Sequence, residues 1–152
     1  MDLSLLKQAQ LFADLDESEL EIVSEICTER RFKSAQKIFG ENDPGNRLFI
    51  IADGEVRISR NVPGSGEEAL TVLTRGACFG EMSCFDHSQR STDAFANKDT
   101  VLLTITRTDF EMLLDFNRDL AYKVLWSAVR LLCSRLRTAN NNLQSFLAMS
   151  MF

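Results

Sequence analysis

The spacing of apolar residues changes twice along this chain, and this change limits the folds it can adopt. Between about residues 31 and 106, apolar and polar residues alternate in short runs such as 56–58 and 70–72. Turn sequences such as Asp53-Gly54 and Pro63-Gly64-Ser65-Gly66 separate these runs. A period of two is typical of strands buried on one face. Many short strands of this kind predict a small antiparallel β-barrel or jelly roll, with Asp53-Gly54 as a hairpin turn.

Before the barrel, apolar residues recur at helical spacing. A first helix is predicted over residues 3–12, with one apolar face formed by Leu5, Leu6, Ala9 and Phe12. A second helix is predicted to begin at Ser18, because Ser18-Glu19-Leu20-Glu21 has the pattern of a capping box. Residues 1–30 are therefore assigned to amino-terminal helices.

The last third of the chain, residues 108–147, is also predicted to be helical. Thr108-Asp109-Phe110-Glu111 is a second capping box, which opens a short helix that ends near Asp115. Asn117 can cap a long helix that starts at about Arg118. Helices on both sides of a barrel predict a single α+β domain over residues 1–152.

The long helix carries an apolar stripe suited to a partner helix. Its members alternate in steps of three and four residues: Tyr122, Leu125, Val129, Leu132, Leu136, Ala139, Leu143 and Phe146. Such a heptad pattern over more than three repeats indicates a homodimer seam. In the alternative interpretation, the stripe packs onto the barrel of its own chain.

Composition excludes several classes of function. The chain is 45% hydrophobic and 26% charged, with a net charge of −5, which is a globular balance and disfavours nucleic acid or anionic membrane as the partner. Asp2 and Lys7 interrupt the start of the chain, so no signal peptide is expected and the predicted location is cytoplasmic. The four cysteines lack metal-site spacing, and His87 is the single histidine, so neither a metal site nor a catalytic site is predicted.

Residues 79–92 carry the candidate chemistry. Gly80 allows a ligand to approach the backbone closely, and a helical turn after it directs free N–H groups at an anion. The Arg90 guanidinium can bind phosphate oxygens in a bidentate manner, and Ser91 and Thr92 add hydroxyl donors. Glu81 repels phosphate but can accept hydrogen bonds from sugar hydroxyls. A singly charged phosphate fused to a ribose meets all these demands, which predicts a cyclic nucleotide.

The sequence here resembles the cyclic nucleotide-binding domain shared by the catabolite activator protein, protein kinase A regulatory subunits and cyclic-nucleotide-gated channels. Residues 11–15 and 18–20 look like the opening helix of that family, and 46–56 are similar to its central hairpin. Residues 79–81 and 90–92 resemble its phosphate-binding cassette, including the nine-residue step from Glu81 to Arg90. The similarity covers nearly the whole chain.

The resemblance implies roles for individual residues. Arg90 would clamp the exocyclic phosphate oxygens beside Ser91, and Glu81 would hold the ribose 2′-hydroxyl. The phosphate pocket would be lined by Gly80, Met82 and Ser83. In relatives a residue of the last helix caps the base. Ala139 stands where dimeric bacterial relatives carry a hydroxyl, so the candidates are Asn140 first and then Thr138.

These observations predict a non-enzymatic receptor for a cyclic nucleotide, with cAMP favoured over cGMP and no other cofactor. Binding would rearrange the carboxy-terminal helix and signal to a dimer mate or to a separate, unidentified effector protein. The catabolite activator relatives continue into a helix-turn-helix, so a stand-alone domain without a DNA-binding part is expected. The alternative is a ligand-free dimerisation scaffold, in which Glu81 and Arg90 form a structural ion pair in a degenerate cassette.

Overall fold

Helices enclose the two ends of a strand-rich middle in the computed structural model, which describes residues 2–151. The amino-terminal part contains α1 (Leu3–Gln8), a 3₁₀ turn (Gln10–Phe12) and α2 (Glu17–Glu25). The strands are β1 (Thr28–Phe32), β2 (Lys37–Phe39), β3 (Arg47–Asp53), β4 (Glu55–Val62), β5 (Gly66–Thr74), β6 (Cys78–Phe79), β7 (Asp93–Ala96) and β8 (Thr100–Thr106). The remaining helices are α3 (Met82–Asp86), α4 (Arg107–Phe116) and α5 (Arg118–Ser150).

The strands form two antiparallel four-stranded sheets, in the orders β1-β8-β3-β6 and β2-β7-β4-β5. This architecture confirms the predicted α+β jelly roll. The predicted hairpin at Asp53-Gly54 is wrong, because β3 and β4 lie in different sheets. Gly54 instead carries the chain from one sheet to the other with φ at +102°, a conformation that favours glycine.

Strand β3 is buried on both faces and joins two hydrophobic clusters. Leu48 and Ile50 belong to the cluster that the helices form against one sheet. Phe49 and Ile51 belong to the cluster between the two sheets. The continuous apolar run of β3 follows from this double burial, since successive side chains of a strand point to opposite faces.

The amino-terminal helices begin and end at other residues than predicted. Helix α1 ends at Gln8, because the chain is extended at Ala9. Helix α2 is capped by Asp16, two residues before the predicted Ser18. The Asp16 carboxylate accepts from the Glu19 N–H at 2.9 Å, and the Glu19 carboxylate accepts from the Asp16 N–H at 3.0 Å. Asp16 is therefore the N-cap of α2, because both hydrogen bonds of the capping box form between Asp16 and Glu19.

Two carboxy-terminal caps also differ from the prediction. Helix α4 is capped by Thr106, and not Thr108, through a 3.1 Å bond from the Asp109 N–H to the Thr106 hydroxyl. Asn117 does precede α5, but its side-chain amide donates to the Leu113 carbonyl at 3.0 Å and so closes the end of α4. Thr106 is also the last residue of β8, so the strand passes directly into the helix.

Buried residues occur only in the first third of α5. Its buried residues end at Ala128, and every residue from 132 to 151 is exposed. The predicted apolar stripe is exposed along its length, for example 51% at Val129 and 62% at Leu136. The interpretation in which this stripe packs on its own barrel is therefore wrong. Among the described residues, no helix combines the length and apolar character that a membrane span requires.

Gly54 offers a test of the sheet-to-sheet crossing. A Cβ at this position would lie 2.4 Å from the Thr100 Oγ1 and 2.7 Å from the Asp99 carbonyl oxygen. We expect Gly54→Ala to lower the free energy of unfolding by about 2–4 kcal/mol, through backbone strain and overpacking. Gly64→Ala is the matched control, because Gly64 has φ +85° and no atom within 4 Å of its added Cβ. Equal losses for the two variants in urea unfolding would contradict the steric explanation.

Candidate ligand-binding site

The predicted cassette lines a cavity of about 370 Å³ between the barrel and α5. All seven cassette residues chosen from the sequence contribute to its wall: Gly80, Glu81, Met82, Ser83, Arg90, Ser91 and Thr92. The two helix candidates, Thr138 and Asn140, are exposed and do not line it. Arg135 contributes the lining from α5 and was missed. Arg135 lies seven residues, or two turns, after the buried Ala128 on the same face of α5, and no sequence motif marks that face.

Gly80 connects β6 to α3 and fixes the approach of the cassette to the barrel. Its φ is +77°, and an added Cβ would lie 2.7 Å from the Arg90 Nη1 and 3.2 Å from the Phe49 ring. Phe49 stacks on Phe79 with ring centroids 5.0 Å apart. The chain can therefore pass Arg90 at this distance only because residue 80 has no side chain.

The loop over residues 40–46 holds the other side of the cassette. The Asn42 N–H donates to the Arg90 carbonyl at 2.8 Å, and the Arg90 N–H donates to the Asp43 carbonyl at 2.9 Å. An added Cβ at Gly45 would lie 2.0 Å from the Ser83 Cβ. Because this loop touches both ends of the cassette, it sets the position of Arg90 relative to α3.

Arg90 is an almost fully buried cation, with 5% of its surface exposed. Its Nη1 donates to the Gly80 carbonyl at 2.8 Å, and its Nη2 donates to the Arg47 carbonyl at 2.6 Å. The guanidinium carbon lies 4.3 Å from the Phe39 ring centroid. Burial lowers the pKa of Arg90, and nearby groups including Glu81 oppose the shift. The guanidinium stays charged at neutral pH.

Glu81 is the buried anion of the cavity, with 3% of its surface exposed. Arg135 of α5 forms an ion pair with its Oε1. The geometry of that contact is not that of a hydrogen bond, so among residues 2–151 the buried Oε1 has no hydrogen-bond donor. Within the same residues, the buried Nε of Arg90 has no acceptor. One cavity wall therefore holds a carboxylate oxygen paired with a single guanidinium and a guanidinium nitrogen without an acceptor, so both have hydrogen-bonding capacity left for a polar ligand.

The charges of the site come from three residues. Burial raises the pKa of the Cys84 thiol to about 11, and burial, followed by the Glu81 charge, also raises the pKa of the Cys78 thiol. Both thiols are therefore neutral at physiological pH, and Glu81, Arg90 and Arg135 leave one net positive charge on the lining. A cavity with this charge favours a monoanion.

The barrel side of the cavity adds apolar surface. Ile58 of β4 and Leu73 of β5 line it, and Thr71 of β5 contributes a hydroxyl. A ligand of this cavity therefore meets both fixed charges and apolar side chains, which is the usual composition of small-molecule sites.

Comparison with known proteins identifies the family. Residues 29–117 match the family model described as cyclic nucleotide-binding domain. The chain is 35% identical over 105 residues to the cyclic AMP receptor protein of Thermus thermophilus, covering 69% of this chain and 49% of that protein. It is 29% identical over 139 residues to the CRP-like cAMP-activated global transcriptional regulator of Mycobacterium tuberculosis, covering 91% of this chain and 60% of that protein. The chain thus spans about half the length of these relatives.

A solved structure agrees with the family model. The N-terminal domain of a transcriptional regulator from Streptomyces coelicolor A3(2) superposes with a TM-score of 0.79 at 28% identity, covering 90% of this chain and 95% of that one. The chain therefore belongs to the family of cyclic nucleotide-binding domains.

The ion pair between Glu81 and Arg135 predicts a stability effect. We expect Arg135→Gln to lower the free energy of unfolding by about 1–3 kcal/mol, less than for a fully buried pair, because the Arg135 side chain is 43% exposed. Arg137→Gln is the control, since Arg137 is exposed on the same helix and has no ion pair with the described residues. The double variant Glu81→Gln/Arg135→Gln should regain part of the loss in urea unfolding. An unchanged midpoint for Arg135→Gln would contradict the pairing.

Proposed function

We propose that this chain is a non-enzymatic receptor domain for a cyclic nucleotide, with cAMP favoured over cGMP. The observation that carries the proposal is that one cavity wall of a member of this family holds two buried charged groups with hydrogen-bonding capacity left: Glu81 Oε1, which has only the Arg135 ion pair, and Arg90 Nε, which has no acceptor among the described residues. A ligand with an anionic phosphate and a hydroxyl donor satisfies both atoms at once. The proposed location is cytoplasmic, and no further cofactor is proposed.

The parts of a cyclic nucleotide match the cavity lining. The phosphate is a monoanion, which suits the single net positive charge, and it binds beside Arg90, Ser91 and the backbone at Gly80. Its other neighbours are the first residues of α3, whose N–H groups lack intrahelical acceptors: Met82 and Ser83. The Thr92 hydroxyl lies on the same wall. The ribose 2′-hydroxyl donates to Glu81, and the base packs on the apolar side chains from β4 and β5.

We propose that ligand binding changes the contact between the cassette and α5. Arg135 is paired with the same carboxylate that accepts from the ribose, so the ligand and α5 interact with one group. A second connection runs through α4, where the rings of Phe85 and Phe110 lie 5.5 Å apart and His87 Nε2 lies 2.7 Å from Glu111. A ligand that interacts differently with two positions of α5 shifts the balance between them.

The exposed stripe of α5 is proposed to be a homodimer seam. Its members from Tyr122 to Phe146 keep heptad spacing and are uncovered by the rest of the chain. Thr138 and Asn140 lie within this segment, so movement of α5 would also move these two proposed base-capping residues. The effector is proposed to be another protein, because the net charge of −5 disfavours nucleic acid and anionic membrane as direct partners.

One observation favours the scaffold alternative. The Arg90 Nη1 and Nη2 already donate to carbonyls, and Glu81 already pairs with Arg135, so most of the charge in the site is compensated without a ligand. On that interpretation the cassette is structural and only the helix seam has a function. The two functions differ in whether cyclic nucleotides bind.

Calorimetric titration with cAMP, cGMP, AMP and GMP tests the proposal. The intact protein should bind the cyclic forms and discriminate against the linear ones, with cAMP bound more tightly than cGMP. Arg90→Ala should weaken binding by two to three decades, about 3–4 kcal/mol, because the buried phosphate loses its cation.

Arg60→Ala is the matched control for Arg90→Ala, since Arg60 is exposed, pairs with Glu41 and does not line the cavity. It should bind as the intact protein does. The absence of heat with any of the four nucleotides would support the scaffold alternative. Wild-type affinity in the Arg90→Ala variant would show that Arg90 does not bind the ligand.

The dimer seam has a separate test. Leu136→Asp and Leu143→Asp should each raise the dimer dissociation constant by about a hundredfold or more, because each removes two buried leucines per dimer. Sedimentation velocity measures the change. Ser134→Asp, an exposed position of α5 outside the stripe, should leave the dimer intact. A monomeric wild-type protein at high concentration would contradict the seam.

A further inference from the structure

A second, outer crevice of about 220 Å³ lies on the other side of Arg90. Phe39 and Arg90 line both this crevice and the ligand cavity, so they form the partition between them. Arg30 of β1 and Arg47 of β3 contribute to the crevice but not to the cavity. Three arginines therefore contribute to the lining of one small crevice in a chain whose net charge is −5.

These guanidiniums lack acidic partners. Among residues 2–151, neither Arg30 nor Arg47 nor Arg90 forms an ion pair. The Arg30 guanidinium carbon lies 5.4 Å from the Phe32 ring centroid, which fixes the stem of the side chain without neutralising its charge. Arg90 is 5% exposed, and its Nη1 and Nη2 donate to the carbonyls of Gly80 and Arg47. The crevice thus holds like charges together with no compensating anion from the protein at hydrogen-bond distance.

One acid lines the crevice, and it is engaged elsewhere. The Asp43 Oδ2 accepts from the Gly40 N–H at 2.7 Å, which closes the turn of the 40–46 loop. With Asp43 counted, the lining retains two net positive charges. Asn46 adds a polar side chain, while Phe39 and Phe49 form an apolar floor.

We propose that the outer crevice is a second ligand site, which binds a phosphate-type anion of a small molecule. Guanidiniums are the side chains that match the geometry and charge of phosphate oxygens. The volume is below the range of about 300–1,000 Å³ that drug-sized ligands occupy, so the occupant is a phosphate or diphosphate group rather than a whole nucleotide. Because Arg90 belongs to both walls, an anion bound in the crevice also changes the field in the ligand cavity.

Titration of the full chain with inorganic pyrophosphate at low ionic strength tests this site. We expect saturable binding at one site. Arg30→Gln and Arg47→Gln should each weaken it by about three- to tenfold, the effect of one partly exposed charge-assisted contact. Both variants should change cyclic nucleotide affinity far less than Arg90→Ala does, because neither side chain lines that cavity.

Arg31→Gln is the matched control for charge. Arg31 is adjacent to Arg30, its side chain is 77% exposed, and it pairs with Glu29 at 2.8 Å outside the crevice. An equal loss in this variant would mean that pyrophosphate senses only net charge, and the proposal would be overturned. Weaker pyrophosphate binding in Arg135→Gln, with Arg30→Gln unaffected, would assign the anion to the ligand cavity and overturn it as well. The absence of saturation at any pyrophosphate concentration would also overturn the proposal.

Discussion

The burial of Glu81 and Arg90 in one cavity wall is the constraint on which the rest of the site depends. Removing two charges from water costs several kcal/mol each unless fixed partners replace the solvent. The partners of Arg90 come from the backbone, because the carbonyls of Gly80 and Arg47 accept from it, and the partner of Glu81 is the Arg135 guanidinium. That arrangement requires a residue without Cβ at position 80 and a loop that fixes the Arg90 main chain. The cassette is therefore specified as much by backbone positions as by its charged side chains.

The parts predicted from the sequence are those with a local signal. The jelly roll follows from period-two runs and turns, and the seven cassette residues follow from a short segment whose residue types suit one ligand. The prediction of the helix caps was wrong, and the reason is also local. Asp16 and Ser18 are both good caps, as are Thr106 and Thr108, and the choice depends on which side chain reaches the third N–H of the helix.

The parts that were not predicted depend on distant contacts. Asp53-Gly54 looks like a hairpin, but the strands it joins pair with other strands across the barrel. Arg135 enters the site because α5 crosses over the cassette, 54 residues further along the chain than Glu81. No sequence motif marks this contact, because it depends on which face of α5 the tertiary fold turns toward the cassette. The two base-capping candidates stay predictions, since they lie on the exposed part of that helix.

The exposed end of α5 links the stability of a helix to protein concentration. An isolated helix shorter than about 12–15 residues is marginal in water, and longer ones gain most of their stability from tertiary packing. Every residue from 132 to 151 is exposed, and Arg135, which pairs with Glu81, lies near the start of this segment. A molecule that binds this segment therefore stabilises its helical form by mass action. If a second chain covers the apolar stripe, the helical order of this segment depends on protein concentration, whereas that of the barrel does not.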